Sequence, residues 1–355
     1  MMRGPEDVVH RVLSSPDEAV EALPTWMDDA GVDGWLRLCE AAVFLGAPGL
    51  VTAWRTHLTT AEATVLDLVE QRSTGRTVDA SHLDAALDVC RAQETRDLAL
   101  EGRVRMERGL HRYEVGDVEG AKDDLTWAET RLSSVAKASR DHDLSLLNKA
   151  AFHLAVGEAI MALQTYGELS RTAGHADESI AISRLAAGRI HADLGQDFDA
   201  LRLLWLGHAH AIRAGQAMLA IESGTTFVDL AEQHLADDAP PMAQQVEEAA
   251  PRSAGDPVPV PAVLRSEAEA VLTWCSEACG GDLSGPERPE LRAVALLAGR
   301  YGRTDLIAHL IDAAEAVDDP MLCAVMQQVD ADHASRWATR MAALALKGLD
   351  PDAQV

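Results

Sequence analysis

The sequence predicts an all-α chain, an α-solenoid of stacked antiparallel helix hairpins, and three observations predict it. The first is a pattern of small residues. Gly109, Gly116, Ala121, Leu125 and Ala128 recur at the same offsets as Ala150, Gly157, Ala162, Tyr166 and Leu169, and again as Gly188, Gly195, Ala200, Leu204 and Gly207. The central glycines are 41 and then 38 residues apart, so the repeat is near 40 residues, within the range of helical arrays. The second is composition: 47% of residues are hydrophobic but only 4% are aromatic, and the balance falls to alanine and leucine, which favour helix-on-helix packing. The third is that no alternating apolar run is long enough for a sheet.

Each position in the pattern has a physical reason. A small first residue lets two helices approach closely. The glycine seven residues later ends the first helix in a left-handed cap. Asp117 after Gly116, and Asp197 and Asp199 after Gly195, open the second helix and complement its dipole. The alanine five residues past the glycine returns to the buried face, one turn before Leu125, Tyr166 or Leu204.

Ahead of the repeats, helices are predicted over 5–14 and 16–29, the second opened by Ser15-Pro16-Asp17-Glu18. Gly31 to Gly34 breaks the chain, and Trp35 to Leu45 is helical up to Gly46. Pro48 starts a helix through Trp54 to His57, and Thr59 or Thr60 caps one to about Gln71. A polar turn over 72–77 leads to a helix from Ala80 to about Arg96. Residues 1–98 thus read as degenerate N-terminal hairpins, followed by the recognisable array over 99–250. That array ends with a helix from Gln216 to Leu235, interrupted near Gly224-Thr225-Thr226, and a short helix from Pro240 to Ala250.

Residues 251–262 hold Pro251, Pro257, Pro259 and Pro261 with Gly255 and read as a stiff, extended linker. C-terminal hairpins are predicted over 263–349: Val263 to Cys279, stopped by Gly280-Gly281, then Leu291 to Tyr301 and Asp305 to Ala316. Ala295, Gly302, Ile307, Ile311 and Ala314 repeat the offsets of the array. A last amphipathic helix runs from about Asp332 to Lys347 and stops at Gly348, leaving 350–355 as a tail.

The first copy carries a family resemblance. Gly109, Tyr113, Gly116-Asp117, Ala121 and Ala128 match the small residue, aromatic, Gly-Asp and paired alanines of the tetratricopeptide repeat, which this stretch resembles. The second copy lacks the aromatic and has Glu158 for the aspartate; the third ends on Gly207. Together they cover about a third of the chain, with a period longer than the usual 34. Repeats near 40 residues also occur in sensor arrays of large bacterial transcription activators, which residues 99–235 look like.

The resemblance implies a concave groove lined by the first helix of each hairpin. The matching positions are Arg103, Met106, Leu110 and Tyr113, then Leu144, Leu147, Ala151 and Leu154, then Ile182, Leu185, Arg189 and Asp193. This is an apolar floor with Arg103 and Arg189 at its rim, suited to an amphipathic peptide or an acyl-like acid. The alternative is that the leucines are core between packed helices and the arginines are solvated. The lysine-and-asparagine clamp with which some family members hold chaperone tails is missing.

Charge and motifs narrow the function. A formal net charge of −26 argues against nucleic acid and against an anionic membrane surface. No stretch suits a signal peptide or a membrane span, and five scattered cysteines suit a reducing cytoplasm. Arginine far outnumbers lysine, which with so much alanine suggests a high-GC bacterial gene.

Cys275 and Cys279 share one helix side and read as buried free thiols. His208 and His210, two apart, face nearly opposite ways and are not joint ligands. His142, between Asp141 and Asp143, reads as solvated, and Glu107 with His111 as a helix-surface pair. Asp28, Asp29 and Asp33 are acidic punctuation, since Gly31 breaks the helix that a paired-carboxylate metal motif needs. There is no phosphate loop, nucleophile elbow or metal-ligand motif, so no cofactor or metal is expected.

The leading expectation is a cytosolic scaffold or regulatory adaptor holding a protein segment or peptide in its groove. The alternatives are a small-molecule or peptide receptor closing around an amphipathic ligand, and an all-helical enzyme whose site assembles only in three dimensions.

Overall fold

The computed structural model describes residues 4–347 except 33, 76–78, 93, 95, 172–173, 248–258 and 280–287. The chain is all-α, made of consecutive antiparallel helix hairpins, and divides into two compact units, Met1–Val156 and Gly157–Val355.

The first unit holds α1 (Pro5–Ser14), α2 (Pro16–Asp29), α3 (Trp35–Phe44), α4 (Pro48–Trp54), α5 (Thr60–Ser73), α6 (Ala80–Arg91), α7 (Leu98–Glu114), α8 (Val118–Val135) and α9 (Arg140–Ala155). Helix starts follow the local signals. Proline occupies the first turn of α1, α2 and α4, where its missing N–H costs nothing. Thr59 and Glu62 close a reciprocal capping box on α5, and the Asp97 carboxylate accepts from the N–H groups of Ala99 and Leu100 at the start of α7. Within this unit α3, α5, α7 and α9 touch in succession, while α3, α5 and α7 also pack on α4, α6 and α8, the stacking of a helical array.

The second unit holds α10 (Ala159–Arg171), α11 (Asp177–Asp193), α12 (Asp197–Ala214), α13 (Ala217–Ala231), α14 (Met242–Glu247), α15 (Arg265–Cys279), α16 (Pro289–Arg300), α17 (Thr304–Glu315), α18 (Pro320–Val329) and α19 (Ala334–Lys347). One core runs from Leu185 and Leu204 through Phe227, Leu272 and Leu310 to Trp337. The Trp337 indole N–H donates to Asp330 at 2.7 Å, which satisfies the one polar atom of a fully enclosed ring.

The recurring glycines cap helices as their spacing implies. At the end of α7, the Asp117 N–H reaches the Arg112 carbonyl at 2.8 Å and the Gly116 N–H reaches Tyr113 at 3.0 Å. At the end of α11, Gln196 reaches His191 and Gly195 reaches Ala192 in the same way. Gly116 and Gly195 have φ of 86° and 69°, left-handed values that a side chain resists.

Four local expectations change. α13 runs unbroken through Gly224, because the Thr225 and Thr226 hydroxyls donate back to the carbonyls of Ile221 (2.8 Å) and Glu222 (2.7 Å) instead of competing with the helix. α6 stops at Arg91 rather than near Arg96, since Asp97 caps the next helix. Residues 320–329, not predicted as an element, form α18, started by the Asp319 carboxylate and Pro320. A short parallel bridge joins Leu235–Ala236 (β1) to Val263–Leu264 (β2), so the chain beside Pro259 and Pro261 is extended and docked; the rest of the proline segment, Gly280-Gly281, Gly348 and the tail lie outside the described residues.

Candidate functional site

In the first unit, Arg103 is the centre of a closed charge network. α7 directs its guanidinium to Asp141 at 2.7 Å, Glu107 at 3.3 Å and Glu40 at 3.5 Å. Arg37 pairs with Glu40 at 3.2 Å and Asp141 at 3.1 Å, and Arg72 pairs with Glu107 at 2.7 Å. Three arginines thus meet three carboxylates. Burial alone would lower the Arg103 pKa; the Glu40, Asp141 and Glu107 charges outweigh it and hold it above the ordinary arginine value. Arg103 is committed to its own chain. Glu107 is buried against these arginines instead of pairing with His111 on the surface.

The same balance fixes a pH dependence. Burial would raise the Asp141 pKa, but Arg37 and Arg103 hold it below the usual aspartate value. A carboxylate with a depressed folded pKa stabilises fully above its unfolded value, near 3.9, and loses that contribution as pH falls through the folded value. Melting temperature measured between about pH 2 and 5 should therefore fall more steeply for the wild type than for Asp141→Asn, whose stability is already reduced at neutral pH.

The remaining groove positions of this unit separate into core and surface. Met106 is buried beside Ala121, Leu125, Ala128 and Phe152, with Leu110 and Leu144 packed against that cluster. Leu147 is buried too, whereas Tyr113, Ala151 and Leu154 are exposed, Tyr113 resting edge-on to Phe152 at 5.6 Å. His142 is enclosed rather than solvated: its Nδ1 accepts from the Ala138 N–H at 3.1 Å, because Ser139 caps α9 and draws His142 into the first turn.

In the second unit, Leu185 belongs to the core, Ile182 and Asp193 are exposed, and Arg189 opens onto a cleft. This cleft, of about 600 Å³, is bounded by α11, α13 and α16. Arg189 on α11 pairs with Glu222 at 2.8 Å and lies 3.4 Å from the Thr226 hydroxyl. Across α13, Arg300 from α16 pairs with Asp229 at 2.5 Å and with Glu232. Between them Ala293 and Leu296 form an apolar strip, and Leu296 is 40% exposed.

Sequence reasoning singled out Arg189, which is exposed beside this cleft, but did not name Arg300, Leu296 and Glu222, which lie outside the matched positions. A signal existed for Leu296. Val294, Ala295, Leu297 and Ala298 are all buried, so the leucine between them breaks the apolar stripe of α16 and has to face outward.

The expectations for the cysteines and for the His208–His210 pair hold. All five cysteines are free and buried, and enclosure pushes the Cys279 thiol up to about 12, away from thiolate chemistry. His208 donates its Nδ1–H to the Ala220 carbonyl at 2.8 Å, while His210 meets Asp177 at 2.6 Å on another side. Asp33 lies outside the described residues. No helix among those described is long and apolar enough to cross a membrane.

No protein-family model matches the chain, and no curated protein matches it. Among solved structures the chain is similar to the apo form of RapI, at 10% identity and a TM-score of 0.44, over 96% of this chain and 91% of that one.

Proposed function

We propose that this chain is a helical-repeat adaptor that captures an amphipathic segment of a protein partner in the cleft between α11, α13 and α16. The observation that carries the reading is the half-exposed Leu296 set between two arginines in a cleft of about 600 Å³. At 40% exposure Leu296 forgoes a part of the roughly 1.5–3 kcal/mol that full burial of a leucine gives, and a partner's apolar side chain recovers it.

The ion pairs at the rim favour exchange. Arg189 and Glu222 are each 48% exposed, and such a surface pair contributes about 0–1 kcal/mol. A carboxylate on the incoming segment can replace Glu222 at little cost. An acidic, leucine-bearing helix or strand fits this surface.

Leu296→Asp and Arg189→Ala should leave the circular dichroism spectrum and melting temperature within the range of surface substitutions, while weakening partner capture about tenfold, the equivalent of one lost apolar or charge-assisted contact. Co-purification of wild type and both variants from the native cell, quantified by mass spectrometry, checks this. Partners retained equally by Leu296→Asp would exclude the cleft.

A further inference from the structure

A second cavity of the same unit, on the other flank of α11, holds an arginine that pairs with none of the described residues. It has a volume of about 480 Å³ and is lined by α10, α11 and α12 with Val246 of α14. Leu163, Leu203, Leu206 and Val246 make its walls apolar. Into it come Arg184 from α11 and Arg202 from α12.

The two arginines differ. Arg202 pairs with Asp199 at 3.4 Å and stacks over Phe198 at 5.4 Å. Among the described residues Arg184 makes no hydrogen bond and no ion pair, although its Nε is fully enclosed. Burial first, then the Arg202 charge beside it, pull the Arg184 pKa below the ordinary arginine value. A partly buried guanidinium beside a second cation is destabilising unless something neutralises it, and a chain with a net charge of −26 has acids to spare for the purpose. Among the described residues that line this cavity the one acid is Asp199, and it pairs with Arg202.

From this geometry we infer that the α10–α11–α12 cavity is a binding site for an aliphatic carboxylate, with Arg184 holding the acid group and the leucine walls holding the chain. Asp199 lines the same cavity and offsets Arg202, so Arg184 supplies one net positive charge. That matches a single carboxylate and not a phosphate dianion. A guanidinium accepts a carboxylate in a two-pronged, charge-assisted geometry, and the volume lies in the range of small-molecule pockets. A free fatty acid and the C-terminus of an apolar peptide share this chemistry. The site is separate from the cleft proposed above and does not depend on it.

The test is calorimetric titration and thermal melting of the full chain with octanoate, methyl octanoate and inorganic phosphate at constant ionic strength. N-acetyl-Leu-Leu and its amide form the peptide arm. Octanoate or the free-acid dipeptide should bind saturably and raise the melting temperature, and whichever is tighter names the natural carrier. The ester, the amide and phosphate should not.

Arg184→Met should lose about tenfold or more in affinity for the acid, yet melt at or above the wild-type temperature without ligand, since it removes an unpaired cation. Arg184→Lys should retain part of the binding. Saturable binding unchanged in Arg184→Met would overturn the assignment, as would equal binding of acid and ester, preference for phosphate, or absence of carboxylate binding in a wild type that melts cooperatively. So would a ligand-free Arg184→Met that melts well below the wild type, since Arg184 would then be structural.

Discussion

Asp124→Ala should destabilise the first unit by about 3–5 kcal/mol, the cost of breaking a buried ion cluster by removing one partner. Asp124 is 1% exposed on α8. It accepts two bonds from Arg108, at 2.8 and 2.9 Å, one from Arg105 at 3.1 Å, and pairs with Arg112 at 3.0 Å. These arginines form a single stripe of α7, spaced three and four residues apart. Chiefly through its bond to Asp124, Arg108 is held above the ordinary arginine pKa.

Removing the carboxylate leaves three guanidinium groups against the α7–α8 seam. Each keeps some support: Arg105 retains Glu101 and the Trp127 ring, Arg108 retains Asp84, and Arg112 retains Asp117. That support places the loss within the range for buried pairs and not above it. Asp124→Asn should lose most of the same stability although its volume is nearly unchanged, because charge and not packing is removed. Asp123→Ala, one residue away and exposed, should fall within about 0.5 kcal/mol of wild type. Urea unfolding of the three variants checks the ordering; Asp124→Ala within the Asp123→Ala range would show that the cluster does not hold α7 to α8.

Those adjacent aspartates show what could be read in the sequence and what could not. Asp124 stands three residues after Ala121 and four before Ala128, on the face that the repeat pattern assigns to the core, so its burial was legible in principle. The glycine spacing was legible because only a left-handed cap satisfies the carbonyls at a helix end in so few residues, and Gly116 and Gly195 adopt it. Pairing of charges was not legible. Arg103 and Arg189 occupy like positions in two copies of the pattern, yet one is enclosed by Glu40, Glu107 and Asp141 and the other opens on a cleft. Glu40 lies in a helix remote in the chain from either copy, and no local spacing reports on it. Arg184 illustrates the converse: that no described carboxylate pairs with it appears only when α10 and α12 are in place. Gly224 misled because a glycine beside two threonines looks like a break. Its lack of a side chain instead admits α15, where a Cβ would stand 2.7 Å from the Cys275 sulfur and 2.9 Å from His208 Nδ1.

Gly188→Ala should cost about 1–3 kcal/mol, as overpacking of a filled core does, even though alanine gains up to about 1 kcal/mol over glycine in helix propensity. A Cβ at Gly188 would lie 2.8 Å from Leu204 Cγ, 2.9 Å from its Cδ2 and 3.3 Å from its backbone nitrogen. The clash falls at the branch point of Leu204, not at a free tip, and that leucine is fully buried beside Leu185, Leu201 and Ile221. Relief therefore requires α11 and α12 to part. Gly207→Ala meets nothing nearer than the Leu185 nitrogen at 3.3 Å, with the Ala181 carbonyl and Arg184 Cβ at 3.4 Å, so it should be the milder change, offset by its gain in propensity. The decisive measurement is a double-mutant cycle. Leu204→Ala alone should cost about 2–5 kcal/mol through the cavity it leaves, and a Cβ at residue 188 partly fills that cavity. Combining Gly188→Ala with Leu204→Ala should thus cost clearly less than the two separate losses added together, a coupling of about 0.5–3 kcal/mol. Strict additivity would mean that the glycine is not what sets the approach of the two helices, and the recurrence of small residues at this position would need a different physical cause.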